Sequence, residues 1–510
     1  MKKNSINREL FEASLEKRQA LRRKFWKSLQ DGGELKKTQT GIEGLDDILQ
    51  GGVPVGRGVL IKGRAGAGKT VLMSEFVYRG ITEFNENAVY VTFEEPPDDL
   101  AANVKSWGWD FPKLVKHNKL AYVDCSFTPA GQVVGGQHDL TPVLLRIKNA
   151  CKKTKAKRLV IDGLSSILLT FSPASTANLL NEINQFIKAQ KLTALFSGPD
   201  MNHPANSGFL IEEHVPDGVI HLEYEHARNH LARHIKIVKL RGVSYKSGRL
   251  EFAIGPGGIQ TYAKIPVDFN VARTNFDVRK STGDPALDAM IEGGVPEGHT
   301  VLISGNTGTG KSTLGFQFIQ EGLKQGENGL IVALEESRDQ ILRVCRSHGW
   351  NLEPALKQKR LSIANPDLVE FSTERLVNMI FQGVMEVQAK RVLLDSVSTI
   401  KGLTKGQDIS NLLILISRFF KNLGITSMVT YLNPSSFGSS KDQLLGELMT
   451  STDRLSSSVD GIFLLNYVER GQRVRRLFNV LKMRGSDHSK DIFKYEITGK
   501  GFQLGDKFEI

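Results

Sequence analysis

The sequence predicts an α/β protein made of two tandem copies of one domain. Each copy should be a mostly parallel central sheet flanked by helices. Three observations carry this expectation. The stretch "IKGRAGAGKT" at 61–70 returns as "ISGNTGTGKS" at 303–312. Short runs rich in Val, Ile and Leu alternate with longer amphipathic segments, the pattern of helix-covered parallel sheets. Matching features also keep nearly constant spacing. The offset is 242 from Gly63 to Gly305, 241 from Glu94 to Glu335, 233 from Asp162 to Asp395 and 243 from Lys239 to Lys482. A repeat of this period is a duplicated domain.

Length and composition bound the rest. A chain of 510 residues exceeds one ordinary core and suits two domains. Apolar content of 40% and charged content of 24% are those of a globular protein. No apolar run approaches the roughly 18 residues that cross a bilayer, so no membrane span is expected. The N-terminus lacks the apolar core of a secretory signal. Cys125, Cys151 and Cys345 are widely spaced and form no zinc or disulfide framework. A reducing, cytoplasmic location fits.

Residues 1–37 read as a basic arm. They hold eleven Lys or Arg against five Asp or Glu, half of the formal excess of +12. Phe11, Leu15, Leu21, Phe25 and Leu29 recur mostly at four-residue steps, and Gly32-Gly33 stops the pattern. This is an amphipathic helix, solvated or docked, with membrane or nucleic-acid contact as the alternatives. The remaining residues are only mildly basic, so nucleic acid is not the expected partner.

Residues 38–254 form the first domain. Its loop fits G-x-x-x-x-G-K-[ST], with Gly63, Gly66, Ala67, Gly68, Lys69 and Thr70 between an apolar run and a helix-like segment. Such glycines let backbone N–H groups curl toward phosphate oxygens, and the helix N-terminus adds its dipole. Lys69 would reach the β- and γ-phosphates, and Thr70 would offer a hydroxyl to Mg²⁺. An ordinary Gly-rich turn is the bland alternative, and a second match inside a repeat argues against it.

"VYVTFEE" (89–95) places Glu94 and Glu95 at a strand end. Adjacent strand residues face opposite sides, so one could orient a water or hydroxyl while the other does not. A hydrated strand end is the alternative. Asp162 closes the run "RLVID" and could hold the Mg²⁺ water shell, although Asp is also common turn chemistry. Lys239 and Arg241, two apart in "IKIVKLRG", should share a strand face. They read either as charge protecting an edge strand or as phosphate-directed cations given across a subunit boundary.

Residues 255–275, opening with "GPGG", read as a linker, and 276–510 as the second domain. There Gly305, Thr307, Gly308, Thr309, Gly310, Lys311 and Ser312 form the phosphate loop. Glu335 and Glu336 repeat the acidic pair, Asp395 the strand-end carboxylate, and Lys482 and Arg484 the cations. Glu335 joins Ser312 and Asp395 as a candidate Mg²⁺ ligand.

Taken together these residues resemble the KaiC family of duplicated, RecA-like P-loop NTPases. The likeness covers about residues 38–505 and includes both loops, both Glu pairs, both Lys-x-Arg-Gly segments and "GWDFPKLV" (108–115). The resemblance implies two tandem RecA-like P-loop NTPase domains in a homohexamer with ATP at subunit interfaces. It implies slow hydrolysis in the first half and autokinase and autophosphatase activity in the second, in timing or stress signalling. By position it assigns Glu94 and Glu95 to hydrolysis, Glu335 and Glu336 to phosphoryl transfer, and Lys239, Arg241, Lys482 and Arg484 to trans-acting cations. It adds Ser106 to the nucleotide contacts and places phosphorylation at Ser456 and Ser457.

The matching positions in the first half, Glu213 and His214, carry no acceptor of this kind. Ser-Ser stands where the family has Ser-Thr, and His348 where it has a tryptophan. The chain ends at Ile510 without the family's long tail, so KaiA-type control is not expected. "SFTPAGQVVGGQHDL" (126–140) resembles the region tied to KaiB, so a KaiB-like partner is expected. The rival reading is a RecA- or RadA-like DNA-dependent recombinase or helicase, since the fold alone does not decide function.

Overall fold

The computed structural model describes residues 35–126, 141–164, 173–198, 216–227, 230–262, 277–366, 371–403, 407–433, 455–470 and 473–509. The basic arm at 1–34, Glu213, His214 and nearly all of 126–140 lie outside them. The chain divides into two compact units, Met1–Ala263 and Lys264–Ile510.

In the first unit nine strands make one sheet. They are β1 Gly58–Gly63, β2 Ala88–Thr92, β3 Leu120–Asp124, β4 Arg158–Asp162, β5 Thr193–Gly198, β6 Gly218–Ala227, β7 His230–Leu240, β8 Arg249–Gly255 and β9 Gly258–Tyr262. Their order is β9-β8-β7-β6-β1-β5-β4-β2-β3. The pairings β3 to β2, β2 to β4, β4 to β5, β5 to β1 and β1 to β6 are all parallel. Beyond β6 the chain returns by hairpins, so β6 to β9 pair antiparallel.

The central strands are buried on both faces, which is why they read as continuous apolar runs. Alternation still decides which layer each residue meets. Val59, Ile61, Ala88, Tyr90 and Val160 join the core beneath the helix Lys69–Phe84. Leu60, Val89, Val91, Leu159 and Ile161 join the opposite core with Leu144, Ile147 and Cys151 of the helix Thr141–Thr154. Helix Lys69–Phe84 carries Leu72, Phe76, Val77 and Ile81 on one buried stripe. Two of the three cysteines lie in this unit, and all three are buried and outside any disulfide.

The second unit repeats the plan. Its strands are β10 Thr300–Gly305, β11 Gly329–Ala333, β12 Leu361–Ala364, β13 Arg391–Asp395, β14 Thr426–Leu432, β15 Gly461–Arg470, β16 Arg473–Met483, β17 Phe493–Thr498 and β18 Gly501–Lys507. They run β12-β11-β13-β14-β10-β15-β16-β17-β18, the same order as in the first unit.

A buried arginine anchors each unit. Arg158 is fully buried, stacks 4.3 Å from the Phe76 ring and pairs with Glu86 at 2.7 Å. Its other nitrogens donate to the Phe76 and Gln39 carbonyls. Arg391 repeats this with Phe318 and Glu327. A charge so placed persists only because it is paired and fully hydrogen-bonded.

One boundary differs from the sequence reading. Residues 255–262, read as the start of the linker, form a hairpin in which Gly255 pairs with Gly258 and Glu251 with Tyr262. The "GPGG" stretch is its turn, with Gly257 at φ +87° and Gly258 at φ +112°. Residues 263–275 lie outside the described residues.

Candidate functional site: two phosphate loops

Each loop leaves a central strand and enters a helix. Gly63 ends β1, and Gly68 caps the helix Lys69–Phe84 at φ +99°. Gly305 ends β10, and Gly310 caps the helix Lys311–Lys324 at φ +89°. Gly66 and Gly308 are also left-handed, at φ +77° and +79°. Side chains are excluded for a second reason at the ends of the loop. A Cβ on Gly63 would meet the Leu222 carbonyl at 2.7 Å, and one on Gly310 would meet Ile497 Cδ1 at 2.6 Å. The backbone is thereby forced into a concave turn at a helix N-terminus, the geometry that receives phosphate.

Both loop lysines point into that turn. Lys69 Nζ donates to the Gly63 and Arg64 carbonyls at 2.8 and 3.1 Å, and Lys311 Nζ to Asn306 O at 2.8 Å. Burial pulls the Lys311 ammonium below its ordinary range, and Asp395 and Glu335 pull it back. Ala67 and Thr309 are buried, and Thr309 Oγ1 donates to Asn306 O at 2.7 Å. Thr307 sits in the turn of the same loop. Thr70 and Ser312 occupy the second position of their helices.

In each unit the Glu pair lies beside the strand-end aspartate, by a route that strand alternation does not describe. Both Glu pairs lie past their strands, in bends that follow Thr92 and Ala333. Strand alternation therefore does not sort them. The bends are held by backbone bonds from Phe93 N to Asp162 O (3.0 Å) and Leu334 N to Asp395 O (2.6 Å). Those bonds set each Glu pair beside its strand-end aspartate. Glu94 packs against Gly163, where a Cβ would meet its Cγ at 2.8 Å. Glu95 is raised above its ordinary range by burial, with the Asp162 charge adding to this and Asn103 opposing it. Ser106 reaches this corner only indirectly, since its hydroxyl donates to the Asn103 carbonyl.

In the second unit Asp395 is nine-tenths buried and raised by burial, against hydrogen bonds from Thr430 and Ser312. Glu335 accepts from Thr399 at 2.7 Å. Glu336 is raised by burial first and then by Asp395 and Glu335. Its Oε2 is buried without a partner among the described residues.

These residues fit a triphosphate with Mg²⁺. No cluster of three or more acidic, His or Cys side chains suited to a metal occurs among the described residues. A Mg²⁺ needs only one or two carboxylates, a hydroxyl and substrate phosphates, and Thr70 with Asp162, or Ser312 with Asp395, could supply the protein's share. The Asn306 amide supports the fit, since it is 4% exposed and neither of its polar atoms has a partner among the described residues.

The cations lie elsewhere. Lys239 is on β7 and pairs with Val219, which pairs with Leu60 of β1. The loop leaves from the other end of β1, after Gly63. Three strand residues, roughly 10 Å, separate those levels. Arg241 is not on the strand. It follows Leu240 in a turn, its N–H bonded to Asp217 O and the chain redirected by Gly242 at φ +81°. Lys482 and Arg484 repeat this arrangement. Each strand also carries a bulge just before the lysine, which leaves Val238 and Leu481 exposed. The Lys-x-Arg pair therefore does not share a strand face as its spacing suggests.

Ser456 and Ser457 sit on a helical turn at 455–458 beside those second-unit cations. Lys482 Nζ donates to Ser456 O at 2.5 Å and Val459 O at 2.8 Å, and Arg484 to Ser457 O at 3.5 Å. Asp460 accepts from Thr300 N and pairs with Lys421 and Arg484. His348 lies apart, with Nδ1 2.9 Å from Thr498 O and its ring 4.9 Å from that of Trp350.

Several partners went unread in the sequence. Ser197 donates to Asp162 Oδ1 at 2.6 Å, and Thr430 donates to Asp395 Oδ1. Tyr90 donates to Asp162 Oδ2 at 2.9 Å. Tyr467 and Tyr495 each donate to a loop carbonyl, Gly308 O and Thr309 O, at 2.6 Å. The one available signal was a small hydroxyl residue recurring inside the apolar runs "TALFSG" and "TSMVTYL".

Comparison with known proteins agrees with this geometry. A family model described as "ATPase: KaiC" matches residues 38–265 and again 280–508. The chain is 34% identical to the circadian clock oscillator protein KaiC of Thermostichus vulcanus over 483 residues, 94% of this chain and 91% of that one. It is 32% identical to the protein of that name from Synechococcus elongatus over 476 residues, 93% and 90% of the two chains.

Proposed function

Since the chain belongs to the KaiC ATPase family, we propose that it is a homohexamer binding ATP with Mg²⁺ between subunits. The first half hydrolyses ATP, and the second transfers the γ-phosphoryl group to Ser456 or Ser457, leaving ADP, and removes it again by hydrolysis to inorganic phosphate. The observation that carries this reading is the duplicated cluster of phosphate loop, strand-end aspartate and paired glutamates.

The residues divide the work. Lys69 and Lys311 hold the β- and γ-phosphates in their loops. Thr70 with Asp162, and Ser312 with Asp395 and Glu335, would hold Mg²⁺ or its water shell. When bound, the ion screens the charge that develops between the β- and γ-phosphates. Glu94 or Glu95 orients the attacking water in the first half. In the second half Glu336, raised by burial and its acidic neighbours, accepts the serine proton. A general base works best when its pKa lies nearer the working pH.

Placement at the far end of the sheet supports a trans role for Lys239, Arg241, Lys482 and Arg484. They lie too far from their own loop, and on this reading they meet the loop of the next subunit, Lys482 and Arg484 by exchanging their bonds to Ser456 O, Val459 O and Asp460. The same argument makes serine phosphorylation an event between subunits. A role in timing or stress signalling, with a KaiB-like partner, follows from the family and belongs to this proposal.

Incubation with ATP followed by intact-mass analysis and phosphopeptide mapping tests the reading. Wild type should gain phosphate at Ser456 or Ser457. A chain with both Ser456→Ala and Ser457→Ala should gain none and still release ADP. Undiminished phosphorylation of that variant would overturn the site.

A further inference from the structure

The two strand-end aspartates are held differently. Asp162 receives two donors from its own sheet, Ser197 on Oδ1 at 2.6 Å and Tyr90 on Oδ2 at 2.9 Å. Asp395 receives the first of these from Thr430. It has no counterpart to the second, because the residue matching Tyr90 is Ile331. Both occupy the same register, two residues before Thr92↔Asp162 and Ala333↔Asp395. Asp395 instead takes a hydrogen bond from Ser312 of the loop helix.

Tyr90 is not a chance surface contact. Its ring is 0% exposed in the core beneath the loop helix, and its centroid lies 6.2 Å from that of Tyr122. A buried phenol must find an acceptor for its O–H, and this one ends on the carboxylate that faces the metal position. Its rotamer is set by packing, so it fixes the plane of the carboxylate it touches.

We propose that Tyr90 is a positioning residue for Mg²⁺ in the first half, orienting the Asp162 carboxylate. The two nucleotide sites thereby differ in their Mg²⁺ dependence. In the first the carboxylate is oriented before ligand arrives. In the second the equivalent orientation depends on Ser312, which is itself a candidate Mg²⁺ ligand. The inference rests on the reading of Asp162 as the metal-side carboxylate. Outer-shell partners of this kind are worth roughly 10- to 100-fold in metal affinity.

The test is a Mg²⁺ titration of fluorescent ATP-analogue binding, in full-length protein carrying Lys311→Ala to silence the second site. Tyr90→Phe keeps the ring and removes only the hydroxyl. It should raise the Mg²⁺ midpoint about tenfold or more, while analogue binding at saturating Mg²⁺ persists. Asp162→Asn is the control. If Asp162→Asn shifts the midpoint and Tyr90→Phe does not, Tyr90 is structural only and the inference fails. If Asp162→Asn shifts nothing, the reading of Asp162 fails and takes the inference with it. Ligand-free melting of Tyr90→Phe separates the roles further, since lower stability with an unmoved midpoint also overturns the proposal.

Discussion

His299 is 3% exposed, and burial pulls its pKa from 6.5 down to about 4. Asp460 opposes this, while Lys421, Arg279 and Arg484 add to it. The folded imidazole is therefore neutral where the unfolded one already binds a proton. Stability from this residue is complete above pH 6.5 and is lost as pH falls toward 4. The full shift corresponds to about 3 kcal/mol. Urea unfolding between pH 7 and 4 should show this loss in wild type, and His299→Gln should flatten it. An unchanged slope in the variant contradicts the assignment. The loop lysines make a second prediction at this scale. Replacing Lys69 or Lys311 by Ala removes charge-assisted hydrogen bonds worth about 1.5–3 kcal/mol. Calorimetric titration with a non-hydrolysable ATP analogue should then find one tight site per chain instead of two. Two sites of unaltered affinity would contradict the loop assignment.

Helix Lys69–Phe84 and strand β4 are joined by the buried arginine, and Gly80 is small for that reason. A Cβ there would collide with the Arg158 guanidinium, as one on Gly322 would with Arg391. Overpacking of this kind costs roughly 1–3 kcal/mol, although Ala is the better helix former by up to about 1 kcal/mol. Gly80→Ala should therefore lower the thermal midpoint, and a midpoint at or above that of wild type would show that the arginine can move. Elements of this kind were legible because their signals are local. "GVLIKG", "RLVID" and the G-x-x-x-x-G-K loops announce central strands and the turns between them and helices. The bends carrying Glu94 and Glu335 were not legible, because bonds from Phe93 and Leu334 to a neighbouring strand make them. The bulges before Lys239 and Lys482 likewise arise from pairing with β6 and β15. The Tyr90, Ser197 and Thr430 hydroxyls meet their aspartates only through sheet register.

Duplication at the scale of the whole chain gives two sites of one design and different detail. Arg57 pairs with Asp217 in the first unit, where His299 stands near Asp460 in the second. Tyr90 faces Asp162 where Ile331 leaves Asp395 to Ser312. These differences give the two loops distinct surroundings within one design. What both share is a loop at one end of the sheet and a Lys-x-Arg pair at the other, which the proposed function reads as an arrangement completed by a head-to-tail ring. Mixed hexamers test that claim most directly. In a Lys311→Ala background, Arg241→Ala and Glu94→Gln chains should each hydrolyse ATP poorly alone. Mixed in equal amounts and reassembled, about one interface in four joins an intact glutamate to an intact arginine, and ATPase activity should return in that proportion. Activity no higher in the mixture than in either variant alone would contradict a site shared between subunits.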